Sequence, residues 1–272
     1  MVVRSGVLFF LACACAVPVL AQEAPTDSTQ YWQKERQWKV RTFGHTLGGE
    51  IAWYSAHDLA TMQLFPRSAS VIDAEQDYAR IYFFSASLAI QAQQDVSVSR
   101  IDNGSLTGHQ WKFSLDRYLG RQSGVIVETD SVAGDSLYTF STGYFYSQNE
   151  CALGVERRWR SNEQRPFYFG GGLGLGLGTT TSSQFYVLEA TRLRDVSGTR
   201  QQSTSEENYP GKRCTYLRAH ITARAGVRIL KRMDVALEAA YGVGLQMIHG
   251  SAVRPINSRI AVGFATRYTI KR

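Results

Sequence analysis

From Ala79 to the C-terminus, apolar and polar positions along this chain alternate with a period of two, the spacing of a strand whose two faces meet different surroundings. Asp234 to Met247 puts Val235, Leu237, Ala239, Tyr241, Val243 and Leu245 on one face and Ala236, Glu238, Ala240, Gly242, Gly244 and Gln246 on the other. Arg259 to Lys271 and Tyr216 to Leu230 repeat the division, with Arg259, Arg267, Arg218, Arg224 and Arg228 all on the face opposite the apolar one. In Phe167 to Thr179 the second face is Tyr168 followed by Gly170, Gly172, Gly174, Gly176 and Gly178, bare backbone that leaves room for long side chains from neighbouring strands. Weaker alternation runs through Ala79 to Gln91, Gln110 to Leu119, Ser136 to Tyr146 and Cys151 to Arg160, which brings the count to eight strands. Trp38 to Ser55 also alternates, and including it makes nine. Closed bacterial barrels have even strand numbers, so the expectation is eight, with ten as the alternative if this segment and one more, Trp38 to Phe43 or Gly124 to Thr129, belong to the wall.

Segments of this length suit tilted strands crossing a bilayer, and no run after the leader is long or apolar enough for a spanning helix. The connections differ in kind: Lys231 to Met233 and Ser161 to Arg165 are short, whereas Thr180 to Thr215 is long and rich in Ser, Thr, Arg and Glu. Short turns at one end and long loops at the other are the habit of membrane barrels. The predicted fold is therefore all-β, an antiparallel transmembrane up-and-down β-barrel with the long loop outside the cell.

The alternation, the asymmetric loops and the glycine face of Phe167 to Gly178 resemble the small outer-membrane β-barrels of Gram-negative bacteria, the OmpA-like group within the porin-like superfamily. The resemblance covers roughly Ala79 to Arg272. It implies residence in the bacterial outer membrane, with membrane lipid and the barrel assembly machinery as partners. Gly263 and Tyr268 keep part of the group's terminal pattern, although the chain ends Ile270-Lys271-Arg272 rather than on an aromatic residue.

The N-terminus adds export to this picture. Arg4, the apolar run Val7 to Val17, Pro18 and the small-residue ending at Ala21 have the layout of a secretory signal, residues 1–21, cleaved before Gln22. A polar linker, 22–36, would then lead into a barrel spanning 37–272. Cleavage takes Arg4 away and leaves 29 of the 30 Lys and Arg against 23 Asp and Glu. So mild a basic excess, with no basic and aromatic stripe, does not suit nucleic acid and better suits a rim beside anionic headgroups. Cys13 and Cys15 leave with the signal. Cys151 and Cys214 remain, an isolated pair that in an oxidising compartment reads as a disulfide at the outer rim.

Candidate chemistry concentrates on the inward face, where Arg158, Arg160, Arg218, Arg224, Arg228, Arg259 and Arg267 gather with Glu156 and Glu238. Side chains fill the interior of a small barrel, and buried charges need partners. One reading of this set is a salt-bridge plug in a structural or surface-interacting barrel, in which the loops present a binding surface. The other is a small passive diffusion channel that prefers anions. A three-residue turn at Lys231 to Met233 sets Glu238 opposite Gly226, with Arg224 and Arg228 on the diagonals. His220 with Thr222 is a faint echo of barrel-borne lipid hydrolases, a third reading, but parity turns His220 inward. No catalytic, metal or cofactor motif is present in the sequence, so no enzyme and no cofactor are expected. Trp111, Trp159, Tyr144, Tyr146 and Tyr241 fit interfacial aromatic girdles.

Overall fold

The computed structural model describes residues 37–54, 59–67, 72, 78–84, 86–102, 105–133, 136–161, 166–195 and 198–270. The expected signal, 1–21, and linker, 22–36, lie outside these residues. The described residues form ten strands, β1 (Gln37–Tyr54), β2 (Arg80–Phe84), β3 (Ala86–Asp102), β4 (Ser105–Ala133), β5 (Ser136–Arg160), β6 (Phe167–Asp195), β7 (Gly198–Pro210), β8 (Cys214–Leu230), β9 (Met233–Ile248) and β10 (Ile256–Thr269), with one helical turn, α1 (Leu59–Met62), after β1. Eight of them close a ring in the order β1, β3, β4, β5, β6, β8, β9, β10 and back to β1, every pairing antiparallel.

Following backbone partners once round the ring leads from Glu50 through Ala261, Ala240, Thr222, Gly172, Arg158, Gln110 and Ser99 back to β1 at Lys39. That is a stagger of eleven residues, one of them the bulge between Val40 and Thr42. A stagger of about ten over eight strands, at ~3.3 Å rise and ~4.8 Å spacing, corresponds to a strand tilt of roughly 40°, the value at which so small a ring closes. The outer face of the ring is a continuous apolar band that includes Leu47, Leu88, Ile90, Phe113, Leu153, Leu173, Leu175, Leu217, Ile221, Leu237, Val262 and Phe264, all exposed. The inner face is polar and buried. A closed wall with no free edge, greasy outside and charged inside, is the architecture a bilayer demands of strands. The molecule is a transmembrane β-barrel of the outer-membrane type.

The eight ring members are not the eight segments predicted from periodicity. Ser136–Tyr146 and Cys151–Arg160 are parts of the single strand β5, and Trp38–Ser55 enters the wall as β1, closing the seam between β3 and β10. The apparent gap inside β5 arises because Ser147 and Asn149 alternate with Gln148 and Glu150, so both faces are polar there. The β8–β9 register also differs from expectation. The turn is Lys231-Arg232, Leu230 pairs with Met233, and a shift between Arg228 and Leu230 sets Glu238 opposite Arg224 rather than Gly226. A two-residue shift preserves the face, so Glu238 still points into the ring.

Three wall strands overshoot the others. β4, β5 and β6 run for 29, 25 and 29 residues, against 17, 16 and 14 for β8, β9 and β10. Above the rim they continue as a sheet flanked by β2 on β4 and β7 on β6. The Thr180–Thr215 region expected as a loop is thus largely the β6–β7 hairpin. Where β4 leaves the ring, its register against β5 shifts between Tyr118 and Arg121, and Gly120 there has φ 74°, a left-handed conformation that favours glycine. The overshoot of β4, residues 121–133, amounts to roughly 40 Å of strand.

Candidate functional site: the charged lumen and its cap

Inward-facing side chains fill the ring, and the glycine face of β6 explains how they fit. Were Gly170 given a Cβ, it would lie 3.0 Å from Arg224 Nε; the same addition at Gly174 would meet the His220 ring and at Gly178 the Tyr216 ring. Each β8 side chain leans across the bare backbone of β6, and Tyr168 in turn leans over Gly226 on β8. A bulkier residue at Gly174 or Gly178 would drive the His220 or Tyr216 ring against neighbouring lumenal side chains.

The charges lie in tiers. In the half of the ring nearest the overshooting sheet, Glu50 of β1 pairs with Arg121 of β4, with Arg218 Nη1 of β8 at 2.9 Å and with Arg259 Nη1 of β10 at 3.2 Å. Glu150 of β5 lies 2.9 Å from Arg121 Nε and 3.1 Å from Arg259 Nη1, and Asp116 of β4 lies 3.3 Å from Arg218 Nη2. Aromatic rings separate the guanidinium groups: Arg218 sits 5.3 Å from the Tyr118 ring centre and Arg259 4.7 Å from that of Tyr216, within cation–π range.

The middle tier centres on two carboxylates. Glu156 accepts from Arg158 Nε at 2.9 Å and from the Thr222 hydroxyl, with Lys112 Nζ at 3.3 Å and His220 Nε2 at 3.9 Å. Glu238 accepts from Arg158 Nη2 at 3.2 Å and from Arg267 Nη2, with Arg224 Nη1 at 3.9 Å. Arg267 Nη2 also lies 3.5 Å from Asp95 of β3. At the short-turn end, Asp234 accepts from Arg160 at 2.9 Å and from Arg228 at 3.3 Å.

The structure therefore brings Glu156, Glu238, Arg158, Arg224 and Arg267 together in one tier and Arg218 and Arg259 in another, with Arg228 apart at the mouth. Sequence reasoning missed Glu50, Asp95, Asp116, Glu150 and Asp234, and with them Lys112 and Arg121. Most lie on strands whose apolar alternation is weak, but a polar alternation was readable there: Gln91, Gln93, Asp95, Ser97 and Ser99 on β3, and Gln110, Lys112, Ser114 and Asp116 on β4, are all buried. The five added carboxylates remove most of the arginine excess on which the channel reading depended.

The end of the ring beneath the overshooting sheet is covered by a small apolar core. Leu59, Met62, Phe65 and Ile72 pack against Val125, Val127, Tyr144, Tyr146, Phe185 and Val187 of the overshooting sheet and against Cys214 and Ile248 at the tops of β8 and β9. Phe65 stacks on Tyr146 at 4.4 Å, the Lys212 amide donates to the Phe65 carbonyl at 2.7 Å, and the Arg67 amide donates to the Pro210 carbonyl at 3.0 Å. The Tyr146 hydroxyl donates to the Lys212 carbonyl at 2.7 Å, and burial pushes its pKa well above the usual tyrosine range, so it stays a donor. Tyr144 and Tyr146 thus belong to this cap and not to a lipid girdle, whereas Trp111, Trp159 and Tyr241 are exposed on the outer face.

The disulfide expected between Cys151 and Cys214 is not formed, and both thiols are free. They do lie at one level, since Thr179 pairs with Cys151 on one side and with Thr215 on the other. Strand β6 nevertheless runs between them, placing the backbones roughly 10 Å apart, and alternation turns Cys151 outward while Cys214 is buried in the cap. No disulfide bridges such a distance between opposite faces.

No protein-family model and no curated protein matches the chain. Among solved structures, Neisserial surface protein A is similar at 8% identity over 86% of this chain and 99% of its own, with TM-score 0.38. The outer membrane protein OprG from Pseudomonas aeruginosa follows at 9% identity, 86% and 98% coverage and TM-score 0.39. Ail, the attachment invasion locus protein of Yersinia pestis, is similar at 7% identity, 84% and 99% coverage and TM-score 0.29. The fold rests on this chain's own register and the polarity of its two faces, and these likenesses add nothing to its function.

Proposed function

We propose that the chain is a non-conducting outer-membrane barrel that serves as a mount for an extracellular β-platform, in a structural or surface-interacting role. The observation that carries this reading is the pairing of lumenal carboxylates with cations at successive levels beneath an apolar cap. An ion crossing the ring would have to break several buried pairs, each costly to separate. The diffusion-channel reading loses its support once the added carboxylates are counted. The hydrolase reading fares no better, because His220 faces Glu156 inside the ring, away from lipid. The platform, by contrast, carries an aromatic ladder of exposed Phe84 with half-buried Phe145 and Tyr186, ring centres 5.9 and 5.0 Å apart.

Orientation is the part of this reading most easily tested. Thr204 lies exposed on β7 and Arg232 in the turn at the opposite end. With a membrane-impermeant maleimide on intact cells, Thr204→Cys should label and Arg232→Cys should label only after permeabilisation. The reverse pattern would overturn the proposal.

A further inference from the structure

The lumenal charges balance in one half and not in the other. In the extracellular half, Glu50, Asp116 and Glu150 meet Arg121, Arg218 and Arg259, three against three. Toward the periplasm, Asp95, Glu156, Asp234 and Glu238 meet Lys112, Arg158, Arg160, Arg224, Arg228 and Arg267, four carboxylates against six cations. The excess is local. A partly enclosed cavity of about 30 Å³ lies between the ends of these side chains, and Asp234 is the one acidic residue lining it.

Residues that carry donors without acceptors line the same cavity. Among the described residues, Nε and Nη2 of Arg160, Nε of Arg224, Nε and Nη1 of Arg267 and the hydroxyl of Tyr168 are buried without a hydrogen-bond partner. All four residues line the cavity, and the Arg160, Arg224 and Arg267 side chains are 9%, 6% and 4% exposed. Tyr168 holds two of the three in place, with Arg160 3.5 Å and Arg224 5.6 Å from its ring centre. Leaving so many charged donors unsatisfied in a buried site is costly, and an anion received here would relieve it. Guanidinium N–H groups converging from separate strands suit the divergent oxygens of a tetrahedral oxyanion better than a single point charge.

We infer that the periplasmic half of the lumen is a binding site for a small inorganic oxyanion of the phosphate or sulfate class, held by Arg160, Arg224, Arg267 and the Tyr168 hydroxyl. This goes beyond the platform role and rests on that reading only for which mouth the anion enters. The Glu238 tier closes the cavity from above, so the site receives an anion from the periplasmic mouth and does not pass it on. Its position inside the closed wall separates it from the lipid outside, so the ligand is a free inorganic ion and not a headgroup phosphate of the surrounding membrane.

The test uses the full chain folded in detergent micelles, with inorganic phosphate added at constant ionic strength and binding read by calorimetry. Saturable binding at a single site is expected, displaced by sulfate and not by glycerol 3-phosphate. Arg224→Gln, which removes the cation least committed to a carboxylate, should weaken binding at least tenfold, and Tyr168→Phe should weaken it measurably with only an oxygen lost. Arg254→Gln, on the extracellular loop, should leave binding unchanged. If Arg224→Gln fails to give the heat-modifiable folded form, Tyr168→Phe carries the test alone. Non-saturating heats, unchanged affinity in the folded variants, or equal displacement by glycerol 3-phosphate would overturn the assignment.

Discussion

Replacing Glu238 with Gln removes one negative charge from among three arginines while hardly changing shape, so it isolates what the middle tier contributes. Glu238 accepts from Arg158 at 3.2 Å and from Arg267, and faces Arg224 at 3.9 Å. Gln keeps one acceptor oxygen, but its amide turns two N–H donors toward guanidinium groups that are themselves donors. Hydrogen bonds to charged groups are worth about 1.5–3 kcal/mol each. A unit-charge pair near 4 Å is worth about 4 kcal/mol at an effective dielectric constant near 20. These contributions overlap, so the expected loss is the roughly 3–5 kcal/mol typical of breaking a buried ion pair from one side. Equilibrium urea unfolding in lipid or detergent, followed by tryptophan fluorescence with heat-modifiable migration as a second probe, should show that loss at an unchanged denaturant slope. Adding Arg224→Gln should recover at least about 1 kcal/mol, because the two sites are coupled through their charges. A Glu238→Gln protein within about 0.5 kcal/mol of the parent would refute the reasoning.

Leu237 and Phe264 are exposed on the apolar outer face of the ring, and placing Arg at either should cost about 2–4 kcal/mol near the bilayer midplane in the same unfolding assay. Gly174→Val forces a side chain against the His220 ring and the Val155 carbonyl 2.9 Å away, and should destabilise by about 1–3 kcal/mol; Gly49→Ala, whose nearest neighbour lies at 3.8 Å, should be tolerated. Phe65→Ala removes the ring that stacks on Tyr146 and should cost about 3–5 kcal/mol if cap and barrel unfold together. Where the cap instead opens separately, native-state proteolysis between β1 and β2 should accelerate with little change in the global midpoint.

Legibility in the sequence followed the contrast between the two faces of each strand. β8, β9 and β10 present apolar side chains to lipid and small or charged ones to the lumen, and their limits were readable to within three residues. The glycine face of β6 announced the space that β8 fills. β3 and the rim section of β5 were harder, because small or polar residues on the outer face there remove the contrast while the polar inner rows remain. The number of wall strands came out right although two segments were assigned differently, since a fused β5 and an added β1 cancel. The Cys151–Cys214 disulfide failed because sequence placed both at one level but supplied neither the strand between them nor the bulges that fix which face each thiol takes. Nor did any periodicity mark the cap, whose Leu59, Met62 and Phe65 become a core only against the overshooting sheet.

Single-channel recording in planar bilayers tests the central claim most directly, that paired charges and a cap close this ring. The purified full-length barrel should insert without unitary conductance steps above the lipid baseline in concentrated KCl, at either polarity. Reproducible steps from the parent protein, preferring anions and altered by Arg224→Gln, would contradict the plug and restore the channel.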